Sequence, residues 1–511
     1  MSTFKKLAGQ TAIYGLSSIV GRLLNVLLVP IYTRVFATGE YGVVTEMYAL
    51  VSFLNILFTY GLETAFFRFY QNETDREKVY ATSLISIVGS SIFLAGMMIL
   101  LSSPLASFIS GKERAMPIPS QFVSWFAIVI AADAISAIPF AKLRQENKAL
   151  RFASIKFFVI LVNVLLNLFF LVYCPSQVKN HPGSWAADLY NPDFGVSYVF
   201  VINVATSLLS VVLLLPDMLR IRFTFDAALW KRMTLYALPL MIAGFAGMIN
   251  ETFDRLMIPR LITDKVSAME QLGIYGACYK LAILMTLFTQ TFRFAAEPFF
   301  FSHASKENAK EIYAKVMHYF VMMCAIIFLG VMMYMDIIKY FIGSDYYAGL
   351  KIVPILLMAN LFLGVFYNLS IWYKLSGKTH WGAWLSLIGA GITLLLNFLL
   401  IPLMGYMGAA WATLICYAGM MGISYFIGQK YYRVPYDVRS SAFVVITSLA
   451  FYFLSLFLHA GNGLSDGWSF AVNTFLMLAF CGVLVAYETR KNAYLRMLLF
   501  GKNKDADQNN Q

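Results

Sequence analysis

The chain predicts an all-α polytopic membrane protein of fourteen helices, twelve of them arranged as two six-helix repeats and two added at the C-terminal end. Three observations carry this. Of 511 residues, 59% are hydrophobic and only 13% charged, about half the charged share of an ordinary globular domain. Apolar runs of about 20 residues, the length that crosses a bilayer as a helix, recur from end to end between short segments with Lys, Arg, Pro or Gly. An internal repeat then relates the two halves.

The expected spans are 11–33, 42–62, 79–101, 118–141, 153–173, 194–215, 235–259, 272–297, 313–335, 350–371, 380–401, 406–427, 440–459 and 467–487. The basic start, MSTFKK, runs straight into the first apolar segment without a small-residue cleavage site, so that helix is expected to be retained. An even number of spans puts both termini on one side. That side's segments hold 27 of the 39 Lys and Arg, and the opposite loops hold eight, Arg260 among them. Such a bias places both termini in the cytoplasm. It also accounts for the net charge of +12 without a nucleic-acid partner.

The repeat is read from six matches in order: Pro30 with Pro259, Tyr41-Gly42 with Tyr275-Gly276, Glu63 with Glu297, Tyr80-Ala81 with Tyr313-Ala314, Lys142-Leu143 with Lys374-Leu375, and Asn167 with Asn397. Their offsets all lie between 229 and 234 residues. A six-helix unit duplicated in one orientation implies a symmetry axis along the membrane normal, with a substrate path between the copies. The expected organisation is an N-terminal half at 1–216, an amphipathic cytoplasmic connector at 217–234, a C-terminal half at 235–430, two extra helices at 431–489 and a polar tail at 490–511. The connector mixes Arg220, Arg222, Lys231 and Arg232 with Phe223, Phe225 and Trp230.

No soluble-enzyme chemistry is encoded, and the expectation is a protein that is not an enzyme and has no cofactor. Gly377-Lys378-Thr379 resembles the end of a phosphate-binding loop, but Trp372 stands where its first glycine belongs. The five histidines lack a metal-ligand spacing, and the five cysteines have neither metal-site nor redox spacing. What remains is charge at membrane depth. Each ionised residue near a helix centre costs roughly 2.5–3.5 kcal/mol, whereas a Leu, Ile or Phe returns only about 0.3–0.6. In the segment 236–259, Glu251, Asp254 and Arg255 fall at i, i+3 and i+4 and project from one face. That face must line protein or water.

Arg22 and Asn25 form a stripe with Ser18 in the first helix, Arg293 and Glu297 another with Gln290 in the eighth, and Lys280 and Asp133 lie within their spans. One reading is structural: Glu251 with Arg255, and Arg293 with Glu297, as neutralised i, i+4 pairs. The other is functional, with Arg22 and Arg255 in corresponding helices of the two copies. Guanidinium groups suit a phosphate because their planar fork donates two hydrogen bonds and stays charged.

The runs VPIYTRVFATGEYG (29–42), LGIYGACYKLA (272–282) and LLLNFLLIPLMGYMGAAWAT (394–413) resemble the polysaccharide-transporter, Wzx-like branch of the MOP superfamily. The resemblance implies a two-lobed, V-shaped bundle in the bacterial inner membrane. It would move an undecaprenyl-diphosphate-linked oligosaccharide from the inner to the outer leaflet by alternating access, for O-antigen, capsule or exopolysaccharide assembly. Its partners would be that lipid-linked substrate, membrane lipids and polysaccharide polymerase or assembly proteins. The candidate diphosphate and glycan contacts are Arg22, Asn25, Arg255 and Lys280. Asp133, Glu251 and Asp254 are the candidates for coupling to Na⁺ or H⁺. Two alternatives are a cation-coupled multidrug antiporter of the same superfamily and a lipid II flippase, the latter disfavoured by a single arginine in the first helix. A non-transporting scaffold would not need buried charge. The topology is checked with alkaline phosphatase fusions, expected active after Lys179 and inactive after Lys504.

Overall fold

The computed structural model describes residues 26–111, 117–220, 224–462 and 466–491. They form helices α1 (Val29–Val35), α2 (Thr38–Thr59), α3 (Leu62–Asn72), α4 (Arg76–Leu100), α5 (Ser102–Ser110), α6 (Ser120–Gln145), α7 (Ala149–Leu168), α8 (Cys174–Asn180), α9 (Trp185–Leu189), α10 (Ser197–Leu219) and α11 (Ala227–Leu261). The chain continues through α12 (Lys265–Leu281), α13 (Ile283–His303), α14 (Ala309–Met333), α15 (Met335–Ile338), α16 (Val353–Leu369), α17 (Ile371–Leu375), α18 (His380–Met404), α19 (Tyr406–Tyr431), α20 (Val438–Asn462) and α21 (Asp466–Lys491). No strand occurs among the described residues. Twelve helices there are long and apolar enough to cross a membrane, and α12 with α13, bent by 52° at their junction, makes a thirteenth span. The protein is a multi-span, all-α membrane protein. The expected first span, 11–33, falls largely outside the described residues.

Several boundaries differ from the hydropathy reading for local reasons. The second span runs on past 62 to Asn72 because α2 and α3 continue one another through Tyr60 and Gly61, both in the left-handed region at φ 34° and 71°. At Gly61 a Cβ would lie 2.9 Å from the Ala237 carbonyl oxygen, so only glycine allows α11 this close. Helix α11 starts at Ala227, earlier than the expected 235, because Asp226 caps it by accepting from the Leu229 amide at 3.0 Å. A 2.5 Å ion pair from Lys78 holds that carboxyl below the usual carboxylate range. Residues 227–233, expected in the connector, are therefore the first turns of α11. The eighth span is not straight but breaks at Ala282.

The described chain divides into two compact units. Unit 1 takes the chain up to Leu281 with Phe341–Leu356 and Thr379–Met420; unit 2 takes Ala282–Tyr340, Leu357–Lys378 and the chain from Met421 on. In unit 1, α6 packs between α4 and α10, α11 lies along α18, and α2 crosses α12. That crossing is made by small residues. A Cβ on Gly42 would strike the Met269 carbonyl, one on Gly273 the Thr38 carbonyl, and one on Gly276 the Thr45 side chain. In unit 2, α14 carries α20 and α21. Polar contacts fasten them: His318 to Glu488 at 2.7 Å, the Asn473 amide to the Met333 carbonyl at 2.7 Å, and Tyr334 to Thr474 at 3.1 Å.

The repeat has structural counterparts. Glu63 pairs with Arg144 in unit 1, and its equivalent Glu297 pairs with Lys374 in unit 2. Asn167 and Asn397 each donate from Nδ2 to the carbonyl four residues back, at 2.8 Å in both cases. Asn167 Oδ1 also accepts from the Tyr32 hydroxyl at 2.9 Å, whereas Asn397 Oδ1, fully buried, has no partner among the described residues.

The glycine crossing generates a stability prediction. Gly273→Leu is expected to cost about 1–3 kcal/mol through overpacking, read as a lower thermal unfolding midpoint in detergent. Gly89→Ala, where a Cβ meets nothing within 4 Å, is expected to leave that midpoint unchanged or raise it.

A candidate anion site on α11 and α12

The polar face of α11 is held against α12 in unit 1. Arg255 donates from Nη1 to the Glu251 carbonyl at 2.7 Å and lies 3.5 Å from Asp254 Oδ1. Its guanidinium stacks 4.3 Å from the centre of the Tyr279 ring, a cation–π contact worth more in a desolvated place. The Tyr275 hydroxyl donates to Asp254 Oδ2. Asp254 thus balances Arg255, and both are buried, with 5% and 11% of their side chains exposed. The i, i+4 pairing of carboxylate and guanidinium expected for Glu251 is not formed. Arg255 takes the backbone oxygen of Glu251 and the carboxylate of Asp254, because a side chain curling back along its own helix meets the free carbonyl edge first.

Lys280 comes next on α12, one residue beyond Tyr279 and immediately before the bend into α13. Among the described residues it makes no hydrogen bond or ion pair, although the charges of Arg255 and Glu251 both act on it. Glu251, Asp254, Arg255 and Lys280 are therefore brought together, two acids and two bases, with the half-buried Lys280 ammonium one of them. Arg22 and Asn25 lie outside the described residues.

The other expected residues lie apart from this group. Asp133, on α6, is exposed and accepts from the Ser207 hydroxyl at 2.9 Å, with Lys156 of α7 acting on its charge. Arg293 and Glu297 belong to unit 2, where Nε of the arginine is 3.7 Å from the carboxylate, Lys374 is the closer cation, and Arg293 stacks 4.6 Å from Tyr367. These groups edge a cavity of about 10 Å³, room for about one water.

Three charged residues escaped the sequence reading. Glu46, on α2, has a fully buried carboxylate 3.0 Å from Arg260 Nη1. Arg260 was expected in an outer loop but belongs to the last turn of α11, and Lys156 was counted as a cytoplasmic charge. The signal for Glu46 was available, since it is a lone acid in the apolar run VVTEMYALV of an expected span. It also shares the 234-residue offset of Tyr41-Gly42 and Tyr275-Gly276 with Lys280. The duplicated position therefore carries an acid in one copy and a base in the other.

The Asp254 arrangement is checked by substitution. Asp254→Ala leaves Arg255 buried without its balancing charge and is expected to cost roughly 3–5 kcal/mol. Tyr275→Phe, which removes one hydrogen bond to the carboxylate, should cost about 1–3 kcal/mol. Thermal unfolding of the purified variants orders the two.

The comparisons with known proteins agree with this architecture. The structure is similar to a lipid II flippase, MurJ, in an inward closed conformation, with a TM-score of 0.72 at 12% identity over 93% of this chain and 98% of that one. It is also similar to an inward-facing multidrug resistance MATE family transporter of the MOP superfamily, with a TM-score of 0.63 at 12% identity over 83% and 95% of the two chains. A mutant of VcmN, a MATE transporter of Vibrio cholerae, superposes with a TM-score of 0.51 at 12% identity, over 84% of this chain and 97% of that one. At these identities the likeness shows the fold alone, the one these transporters share. No curated protein matches the chain in sequence. A family model described as "Polysaccharide biosynthesis protein" matches residues 7–303, more than half of the sequence, so the chain belongs to the polysaccharide biosynthesis protein family.

Proposed function

We propose that this protein is a flippase that carries an undecaprenyl-diphosphate-linked oligosaccharide from the inner to the outer leaflet of the bacterial cytoplasmic membrane. Alternating access would move the cargo for O-antigen, capsule or exopolysaccharide assembly, with both termini in the cytoplasm. Family membership and the flippase-like fold support the class of cargo. The observation that carries the reading is the pair Arg255 and Lys280. An ammonium at a helix bend is costly in a membrane, and among the described residues Lys280 has the charge of Glu251 acting on it but no direct hydrogen bond or ion pair to serve as a close counter-ion. An anionic headgroup supplies that counter-ion, and a diphosphate has charge enough for both side chains. Arg255 Nη1 serves the α11 carbonyl and Asp254, and the guanidinium also hydrogen-bonds the Tyr279 side chain; the N–H groups that remain are those a phosphate would take. In the first helix, Arg22 and Asn25 would approach the same diphosphate from the other copy.

Coupling to Na⁺ or H⁺ belongs to the same proposal, and the contacts rank its candidates. Asp254 already holds a tyrosine hydroxyl and a guanidinium, whereas Asp133 is exposed and has one hydroxyl partner. Asp133 is the better coupling residue. The second reading, a cation-coupled drug antiporter, draws on the same acid and on the likeness to a MATE transporter. It gives the two bases no task.

The test measures inward-facing lipid-linked oligosaccharide in cells carrying Arg22→Ala, Arg255→Ala or Lys280→Ala, with protein levels matched. Each lost charged contact is worth about 1.5–3 kcal/mol, so headgroup affinity should fall roughly 10- to 150-fold and the intermediate should accumulate. Arg255→Lys should fall between wild type and Arg255→Ala, because the charge stays and the fork is lost. Normal surface glycan in all three alanine variants would sink the site. Intact glycan in a deletion strain, with new sensitivity to cationic drugs, would favour the antiporter.

A further inference from the structure

At the end of unit 2 that the Lys/Arg bias assigns to the cytoplasm, four bases gather around two tyrosines. Lys310 is the second residue of α14, Lys378 follows α17, and Lys430 and Arg433 stand on either side of Tyr431 and Tyr432, where α19 ends. Lys378 Nζ is 3.6 Å from the centre of the Tyr431 ring, and Lys310 Nζ is 4.9 Å from that of Tyr432. Tyr431 is backed by the buried Trp372, stacked at 5.9 Å, and Tyr432 packs on the buried cluster of Phe300, Tyr313, Ile371 and Val434. Lys310, Lys430 and Arg433 are exposed and Lys378 is half-buried.

Among the described residues none of these four side chains makes an ion pair or a hydrogen bond. Asp437, the acid nearest to Arg433 in sequence, is taken by Lys491 at 2.6 Å and by the Ser440 hydroxyl. Unit 1 settles its bases differently. Lys78 pairs with Asp226 at 2.5 Å, Lys148 with Glu146 at 2.6 Å, Arg151 with Asp217 at 2.7 Å and Arg232 with Glu73 at 3.0 Å. Those bases have their anions within the chain. In unit 2 the helix dipole accounts for Lys430 and Arg433 at the C-terminal end of α19, but it opposes Lys310 at the N-terminal end of α14. Stacking on a ring offsets part of the mutual repulsion and leaves each ammonium with N–H donors for a further acceptor.

The neighbouring surface says what that acceptor is. Phe426 lies one turn before Lys430 on the same face of α19 and is 74% exposed. On a membrane helix such a ring is covered by acyl chain, and Lys430 stands about 6 Å further along the axis, at the depth where tyrosine rings and lysine stems bridge apolar and polar layers. We propose that Lys310, Lys378, Lys430 and Arg433 hold one anionic phospholipid of the inner leaflet, its phosphate among the bases and its chains along the face of α19 that carries Phe426. The negative headgroups of that leaflet are the ordinary partners of clustered bases at a membrane surface. The site shares no residue with the one on α11 and α12 and does not depend on the cargo.

The test titrates the purified full-length chain in detergent with phosphatidylglycerol or with phosphatidylcholine of the same acyl chains, and native mass spectrometry reads the dissociation constant of the first lipid retained. Phosphatidylglycerol should bind at least tenfold more tightly. Lys310→Gln, Lys378→Gln and Lys430→Gln combined should abolish that preference, and the same three positions changed to Arg should keep it. A control with Lys179→Gln, Lys339→Gln and Lys351→Gln, which removes equal charge from the opposite loops, should also keep it. No preference in the parent overturns the site. An equal loss in the control assigns the preference to net charge and overturns it as well. Release of the bound lipid by glycerol 3-phosphate would make this a site for a soluble phosphate and would overturn the lipid. Loss of the preference in Lys280→Ala but not in the triple Gln variant would place the lipid on α11 and α12 and overturn the assignment to α14, α17 and α19.

Discussion

The close crossing of α2 over α12 fixes where every important charge in unit 1 can be. Glycine at 42, 273 and 276 lets the two backbones approach to a distance that any side chain would prevent, the usual means of association where apolar surface alone gives no preference for helix over lipid. Once the helices are that close, Glu46 on one and Tyr275, Tyr279 and Lys280 on the other have their faces determined. α11 then supplies a guanidinium to each side: Arg260 to Glu46, and Arg255 to the tyrosines and Asp254.

Duplication explains why the crossing is nearly symmetric, and divergence explains why its chemistry is not. The aromatic-glycine step recurs at the same offset in both helices, and the carboxylate clasp recurs as Glu63 with Arg144 and Glu297 with Lys374. At one shared position the two copies took opposite charges, Glu46 and Lys280. The acid found a partner on α11, whereas the base makes no hydrogen bond or ion pair among the described residues. A position shared by the two copies thus carries a paired acid in one and a base without a direct ion pair among the described residues in the other.

Much of the architecture was legible because a bilayer imposes a strict length and composition rule on its helices. The spans at 380–401 and 406–427 match α18 and α19 closely, since nothing at their starts competes with hydropathy. The break at Ala282 was not legible, because no proline or glycine marks it. In the site, Arg255 and Asp254 were found because three charges on one face stand out. Glu46 was overlooked because a lone acid is less conspicuous than a cluster, and Arg260 because its place in the last turn of α11 depends on where the helix ends, which hydropathy fixes poorly.

The two equivalent asparagines show what such divergence does to the mechanics of the fold. Asn167 has both ends of its amide satisfied, the oxygen by Tyr32. In the second copy the position matching Tyr32 is Leu261, and among the described residues the buried Asn397 oxygen has no partner. At this level the first repeat ties its asparagine at both ends of the amide, and the second ties its own at one end only.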